Sequence, residues 1–309
     1  MITSDTLSLH ADPFESGLQY YLIANSVSIS GSTLTADIYT LSDSNEREAL
    51  FLDSDLSSLL DISPYVVRVT DGDKLLQQYV QNAVTQSGWS GILVAVSEET
   101  QFEALLAHLR QRLFISFSSE RKGILHYSNP NVANYFLGET ESSSSTESWL
   151  GIIKQVCWYG APNSPYQGLW CKVQNHSDKT NVHNLPWVIT PQQETAFKVQ
   201  KMDQALAKYF FKNSKPEEAI DSQQWLVYRR YFKEAQTLGF AEIDNVYQYL
   251  TLCGEYECSN DQKEHYRPEM TKSTLIERID IEAIQSINES QKLQHIKMLI
   301  NKDESYANG

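Results

Sequence analysis

The sequence predicts an α+β chain, with an N-terminal mixed β-sheet carrying flanking helices and a C-terminal all-helical domain. Three observations support this. Short runs of strand formers alternate with helical runs over the first 187 residues, and from Thr190 the apolar period changes to 3.6 and stays there. The composition, with 41% apolar, 11% aromatic and 21% charged residues, supplies enough apolar side chains to close cores. A length of 309 residues suits two domains of ordinary size, expected at residues 1–187 and 188–309.

Residues 18–24 (LQYYLIA) and 47–52 (REALFL) are rich in strand formers. Residues 63–69 (SPYVVRV) follow, with Pro64 at the strand's start, where no ladder donor is required. Over residues 71–84, Leu75, Leu76, Tyr79 and Val80 share one helical face, and the run GILVAV (91–96) reads as a buried strand. Ser97 before Glu98-Glu99-Thr100 predicts a helix start. That helix carries Phe102, Leu105, Leu106 and Leu109, and Arg110 and Arg112 suit its C-terminal end. LFISFS (113–118) and GILHYS (123–128) are expected to pair as a hairpin across the polar turn SERK. Asn129 can then cap a helix with Pro130 in its first turn and Val132, Tyr135 and Phe136 on its apolar face. The run ETESSSSTES (139–148) reads as a mobile loop, too polar and too serine-rich for regular structure. Strand-like runs resume at 152–160 (IIKQVCWYG) and 166–174 (YQGLWCKVQ).

Thr190-Pro191-Gln192-Gln193 matches a capping box, and Val199, Met202, Leu206, Tyr209 and Phe210 make the stripe of the helix it opens. A second helix is expected over roughly 216–238, with Trp225, Tyr228, Phe232, Ala235 and Leu238 on one face and Gly239 as its left-handed terminator. A third carries Ile243, Val246, Tyr247 and Leu250 and is expected to stop at Gly254. After a polar stretch, Leu275, Ile276, Ile279, Ile284 and Ile287, then Leu293, Ile296, Leu299 and Ile300, predict further helix.

Net charge and cysteine usage bound the function. With 25 basic and 39 acidic residues the formal charge is −14, and residues 1–61 hold ten acids against Arg47 alone. Such a surface repels phosphates, so nucleic acid is not an expected partner. Two readings of the charge stay open: solubility, or an acidic face that steers a basic protein partner. The start MITSDTLSLHADPFE lacks the basic and apolar segments of a secretory signal, and no apolar run approaches the roughly 18 residues of a membrane span. A soluble, cytoplasmic chain without a membrane partner is expected. Four cysteines give no disulfide framework.

Sites of chemistry are sparse. No P-loop, dinucleotide fingerprint or HExxH occurs. Gly88-Trp89-Ser90-Gly91 has its second glycine one position too early for a nucleophile elbow and precedes a strand, so it reads as a turn. Asp53-Ser54-Asp55 offers two carboxylates for a cation, but is more simply a helix start before LSSLL. Cys253, Cys258 and His265 have donor types that suit zinc, yet no fourth ligand accompanies them, and neither metal nor cofactor is expected. A cysteine nucleophile would use Cys157 with His126, which sit on predicted strands of one sheet. The enzymatic alternative is therefore a hydrolase or transferase around Cys157 and His126, or around the acidic N-terminal cluster.

Aromatic side chains are plentiful, at 17 Tyr, 11 Phe and 6 Trp. Tyr209, Phe210, Trp225, Tyr228, Tyr231 and Phe232 gather on the first two C-terminal helices. Successive helical residues diverge by about 100°, so one of Tyr231 and Phe232 is expected to leave the core face. Outward aromatics anchor protein interfaces, and half-buried packing is the plain alternative.

Taken in order, the Pro64-Tyr65-Val66-Val67 strand, Trp89 before the central strand, the corner His126-Tyr127-Ser128-Asn129-Pro130, and the runs QVCWYG and GLWCKV resemble one known family. It is the effector adaptor or chaperone family of bacterial type VI secretion, long catalogued as a domain of unknown function. The likeness covers about residues 18–174. In that family the corner reads Arg-aromatic-aromatic-Asp-Pro; here His126, Ser128 and Asn129 stand at the arginine, second aromatic and aspartate positions. The resemblance implies a non-enzymatic role: binding a toxic effector protein in the cytoplasm and helping to load it onto the spike protein of the secretion machine. The aromatic surplus of the C-terminal helices, rather than the resemblance, is the ground for expecting effector choice in the helical domain, with the six aromatics as the candidate contacts.

Overall fold

A computed structural model of the chain describes residues 14–25, 32–117, 120–138, 144–175, 186–213, 220–264 and 275–307. The chain divides into two compact units, Met1–Lys201 and Met202–Gly309. An N-terminal antiparallel sheet with helices precedes a helical region, the α+β class expected.

The large sheet of the first unit has six strands: β1 (Leu18–Asn25), β2 (Arg47–Ala49), β3 (Tyr65–Val69), β4 (Ser90–Ser97), and, after two short strands of a second sheet, β7 (Ile153–Tyr159) and β8 (Trp170–Gln174). Their order is β2-β3-β1-β4-β7-β8, and every pair is antiparallel. The strand-helix-strand run through α2 (Lys74–Thr85) yields no parallel pair, because β3 and β4 lie on opposite sides of β1. A smaller sheet joins β5 (Phe114–Ser116), β6 (Lys122–Ile124) and β9 (Trp187–Val188). There β5 and β6 form the expected hairpin, and β9 runs parallel to β5.

Alternation along β1 sends Tyr20, Leu22 and Ala24 to one face of the large sheet and Tyr21 and Ile23 to the other. The first set packs with Leu34 and Ile38 of α1 (Ser32–Leu41) and with Leu75 and Tyr79 of α2. The second packs with Leu105, Leu106 and Leu109 of α3 (Phe102–Gln111) and with the small sheet. Because both faces are covered, β1 and β4 are continuous apolar runs although the sheet is antiparallel. Each fully buried aliphatic side chain contributes about 1.5–3 kcal/mol, which outweighs any exposed ion pair on this unit.

Several local expectations are corrected. Ser97 does not cap a helix: it ends β4 opposite Leu18, and its carbonyl accepts the Thr100 amide at 2.9 Å, so α3 starts at Phe102. Asp53 and Asp55 open no helix. The 3-10 segment after them, Ser57–Ile62, has Leu56 at its cap position and kinks at Leu59, and Asp53 has a left-handed φ of 54°. The serine run contains α5 (Ser144–Leu150), while residues 139–143 lie outside the described residues. Two things make that helix possible. Trp149 and Leu150 are buried, and the buried Arg112 donates from Nε to the Trp149 carbonyl at 2.7 Å and from Nη2 to the Ser148 carbonyl at 3.3 Å. Those are carbonyls that a helix end leaves without partners.

The corner after the hairpin is held by local and long-range hydrogen bonds. Asn129 Oδ1 accepts the Asn131 amide at 2.9 Å and caps α4 (Pro130–Ala133), which widens into a π turn over Asn134–Gly138. Ser128 Oγ donates to Asn25 Oδ1 at 2.8 Å, and Asn25 Nδ2 donates to the Ser128 carbonyl at 2.5 Å, tying the corner to the end of β1. The buried Asn134 accepts from Trp158 Nε1 at 2.6 Å.

The helical region comprises α6 (Pro191–Asn213), α7 (Ser222–Thr237), α8 (Ile243–Glu264), α9 (Ile281–Gln285) and α10 (Glu289–Ala307). The capping box at α6 is formed, with the Gln193 amide 3.3 Å from Thr190 Oγ1 and the Thr190 amide 3.1 Å from Gln193 Oε1. The start of α7 falls later than expected, at Asp221, which makes its own capping box with Gln224. Gly239 terminates α7 at φ 77°, with Phe240 and Gly239 amides on the Ala235 and Gln236 carbonyls. Gly254 is no stop. It lies inside α8 where a Cβ would meet Tyr228 Oη at 3.0 Å, so the glycine serves helix approach. The first turn of α10 braces the α7–α8 connection. Lys292 Nζ donates to the Leu238 and Gly239 carbonyls at 2.8 and 3.1 Å, while the Glu289 carboxylate accepts the Ala241 amide at 2.8 Å. A cation thus meets a helix C-terminus and an anion a helix N-terminus, as the helix dipoles favour.

His108 on α3 makes the first unit acid-sensitive. Its Nε2 is buried with no hydrogen-bond partner among the described residues, and its pKa is pushed down to about 4, first by burial and then by the Arg112 charge. The unfolded chain, with an ordinary value of 6.5, takes the proton more readily than the folded one. This group's contribution is therefore intact above about pH 6.5, falls as pH drops toward about 4, and changes no further below that. Urea midpoints measured across that window should decline more steeply for the native sequence than for His108→Gln; identical slopes would contradict the assignment.

Candidate partner-binding surface

Five of the six aromatics singled out by sequence come together through ring contacts inside the helical unit, and the sixth, Phe232, is buried. The Phe210 ring lies 5.0 Å from Trp225 and 5.0 Å from Tyr228. Tyr209 lies 5.5 Å from Tyr228 and 5.6 Å from Tyr247, and Tyr228 lies 5.5 Å from Tyr231. Tyr209, Phe210, Trp225, Tyr231 and Phe232 are buried and Tyr228 is half-buried. Such ring pairs contribute about 0.5–1.5 kcal/mol each beyond the area they bury.

Tyr231 and Phe232 are both inside, against the expectation that one must leave the core face. The reason is that α7 has neighbours on more than one side, α6 through the ring contacts and α8 by direct packing. The outward aromatic is instead Phe211, 90% exposed. Three consecutive aromatics, Tyr209-Phe210-Phe211, sweep about 200° of a helix, so the sequence held this signal. On α7, Leu226 is also exposed.

Beneath the rings, Asp203 and Arg229 fix α6 against α7. Arg229 Nε donates to Asp203 Oδ1 at 2.8 Å and Nη2 donates to Oδ2, a bidentate pair with Asp203 only 1% exposed. Tyr247 Oη donates to the Ala205 carbonyl at 2.9 Å, and Tyr249 Oη donates to Glu234 Oε2 at 3.1 Å.

The other sequence candidates fall apart as sites. Cys157 lies on β7, buried in the α1–α2 layer, and burial pushes its thiol up to about 11, away from the thiolate a nucleophile needs. His126 is exposed and lies beyond β6, which belongs to the small sheet, so the two do not share a sheet as expected. Gly88-Trp89-Ser90-Gly91 leads into β4. Trp89 Nε1 donates to Asp37 Oδ2 at 2.8 Å, and a Cβ on Gly91 would sit 2.4 Å from the Ile23 carbonyl oxygen, so strand approach explains that glycine. Cys253 is buried; the Cys258 side chain and His265 lie outside the described residues. Among the described residues no group of three or more His, Cys, Asp and Glu could hold a metal, and no helix is long and apolar enough to cross a membrane.

Residues 20–146, from β1 into α5, match the model of a family described as a domain of unknown function (DUF4123). No curated protein and no solved structure matches the chain.

Removing one partner of a buried ion pair leaves the other uncompensated. Asp203→Ala should lower the stability of the helical unit by about 3 kcal/mol or more in chemical denaturation, with part recovered when Arg229→Met is added. A loss below about 1 kcal/mol would mean that solvent screens the pair.

Proposed function

We propose that this chain is a cytoplasmic adaptor that binds a type VI secretion effector and helps load it onto the spike protein, through protein contacts and without catalysis. The observation that carries this reading is the agreement between the family match over residues 20–146 and the motif order. Pro64-Tyr65-Val66-Val67 enters β3, Trp89 precedes β4, the Asn129-Pro130 corner opens α4, and QVCWYG and GLWCKV run through β7 and β8. The raised thiol of Cys157 and the exposed position of His126 lend no support to a hydrolase or transferase.

Within this reading the helical unit selects the effector. Tyr209, Phe210, Trp225, Tyr228, Tyr231 and Phe232 stiffen the surface from below, and Phe211 and Leu226 are the apolar side chains a partner can reach. Affinity capture with the tagged full chain, co-expressed with a candidate toxin and a candidate spike protein, tests it. Recovery of the toxin, with capture weakened by Phe211→Ser plus Leu226→Ser in a folded protein, is expected. A toxin that is neither captured nor dependent on this chain for secretion would overturn the adaptor role.

A further inference from the structure

Between β2 and β3 the chain makes a closed excursion over residues 50–64. The Leu50 amide donates to the Pro64 carbonyl at 2.7 Å and the Phe51 amide to Ser63 Oγ at 2.9 Å, fastening the two ends together. Inside, Ser54 Oγ donates to the Phe51 carbonyl at 2.7 Å and accepts the Leu56 amide at 3.1 Å. The Ser63 amide closes the turn on the Leu60 carbonyl at 3.0 Å. With Phe51 and Leu56 buried as plugs, this is a compact loop held by its own bonds.

A loop so well tied down exposes the wrong residues for a passive connection. None of the six residues of Ser57–Ile62 is buried. Leu52, Leu59, Leu60 and Ile62 are 38%, 41%, 39% and 62% exposed. Scattered single apolar residues need no explanation, but four exposed within one short, internally bonded loop are a local concentration of apolar surface. Asp53, Asp55 and Asp61 are exposed on the same loop and make no ion pair among the described residues. The cations of this region are already engaged: Arg47 lies over the Tyr39 ring, Arg68 pairs with Glu46, and Arg110 pairs with Glu48.

We propose that this loop is a docking tip for a basic amphipathic segment of a protein partner. Aliphatic side chains of that segment cover the leucines and Ile62, and its lysines or arginines meet the three free carboxylates. Charge complementarity selects this occupant, since a second copy would bring aspartates against aspartates. The tip belongs to the first unit, and the proposal stands or falls separately from effector choice by the helical unit.

The test uses the full chain and a fluorescent synthetic helix of leucine and lysine, followed by anisotropy at low and high salt. The native sequence should bind it with salt-sensitive affinity. Leu59→Ser with Ile62→Ser should weaken binding about tenfold. Asp53→Asn, Asp55→Asn and Asp61→Asn together should remove most of the salt dependence. Equal charge removal elsewhere, at Glu242, Asp244 and Glu282, should change affinity by less than about twofold. Circular dichroism checks that each variant is folded. Absence of binding by the native chain, equal losses at the tip and at these acids of the helical region, or self-association of the native chain that Leu59→Ser with Ile62→Ser abolishes, would each overturn the proposal.

Discussion

The N-terminal unit depends on β1, whose backbone is paired on both edges and whose side chains are covered on both faces. Every residue from Tyr20 to Ala24 has a partner on β3 and another on β4, and each is at most 2% exposed. A strand so placed cannot slip by one residue without exchanging the layer under α1 and α2 for the layer under α3. The remaining features are hung from this ladder. Asn25 at its end holds the Ser128 corner, and β3 beside it carries β2 and the neck of the 50–64 loop. The exposed leucines of that loop are therefore presented from a fixed base, which lowers the ordering cost of binding.

In the helical unit, the same role falls to contacts at helix ends and to one buried ion pair. Lys292 and Glu289 lie three residues apart on α10 and reach the two helix ends at the α7–α8 connection, and Asp203 grips Arg229 between α6 and α7. The aromatic cluster fills the space these contacts enclose. An aromatic surplus on helices is thus first a packing solution, and the surface available to a partner is set by the few apolar residues left over, Phe211 above all.

Much of this was legible in the sequence because the signals were local. The capping residues Asn129 and Thr190, the terminator Gly239, the strands around Leu22 and Leu93 and the hairpin all followed from residue type and period. What escaped depended on distant partners. The serine run became helix because Arg112, from another element, satisfies its carbonyls. Gly254 read as a stop because its reason, Tyr228, lies on α7. Cys157 and His126 looked like neighbours because sequence shows which runs are strands but not which sheet each joins. The Asp53-Ser54-Asp55 cluster was noticed and misread, since a 3-10 segment with Leu56 at its cap position leaves its carboxylates with nothing to cap.

The central claim is that a doubly covered strand, β1, fixes the frame of the first unit, from which the 50–64 loop is presented. Native-state hydrogen exchange, read amide by amide, tests it most directly. Amides of residues 20–24 and 92–96 should exchange only through global unfolding of the first unit, while those of β2 and β6 exchange through smaller openings. Exchange in β1 as fast as in β2 would contradict the account.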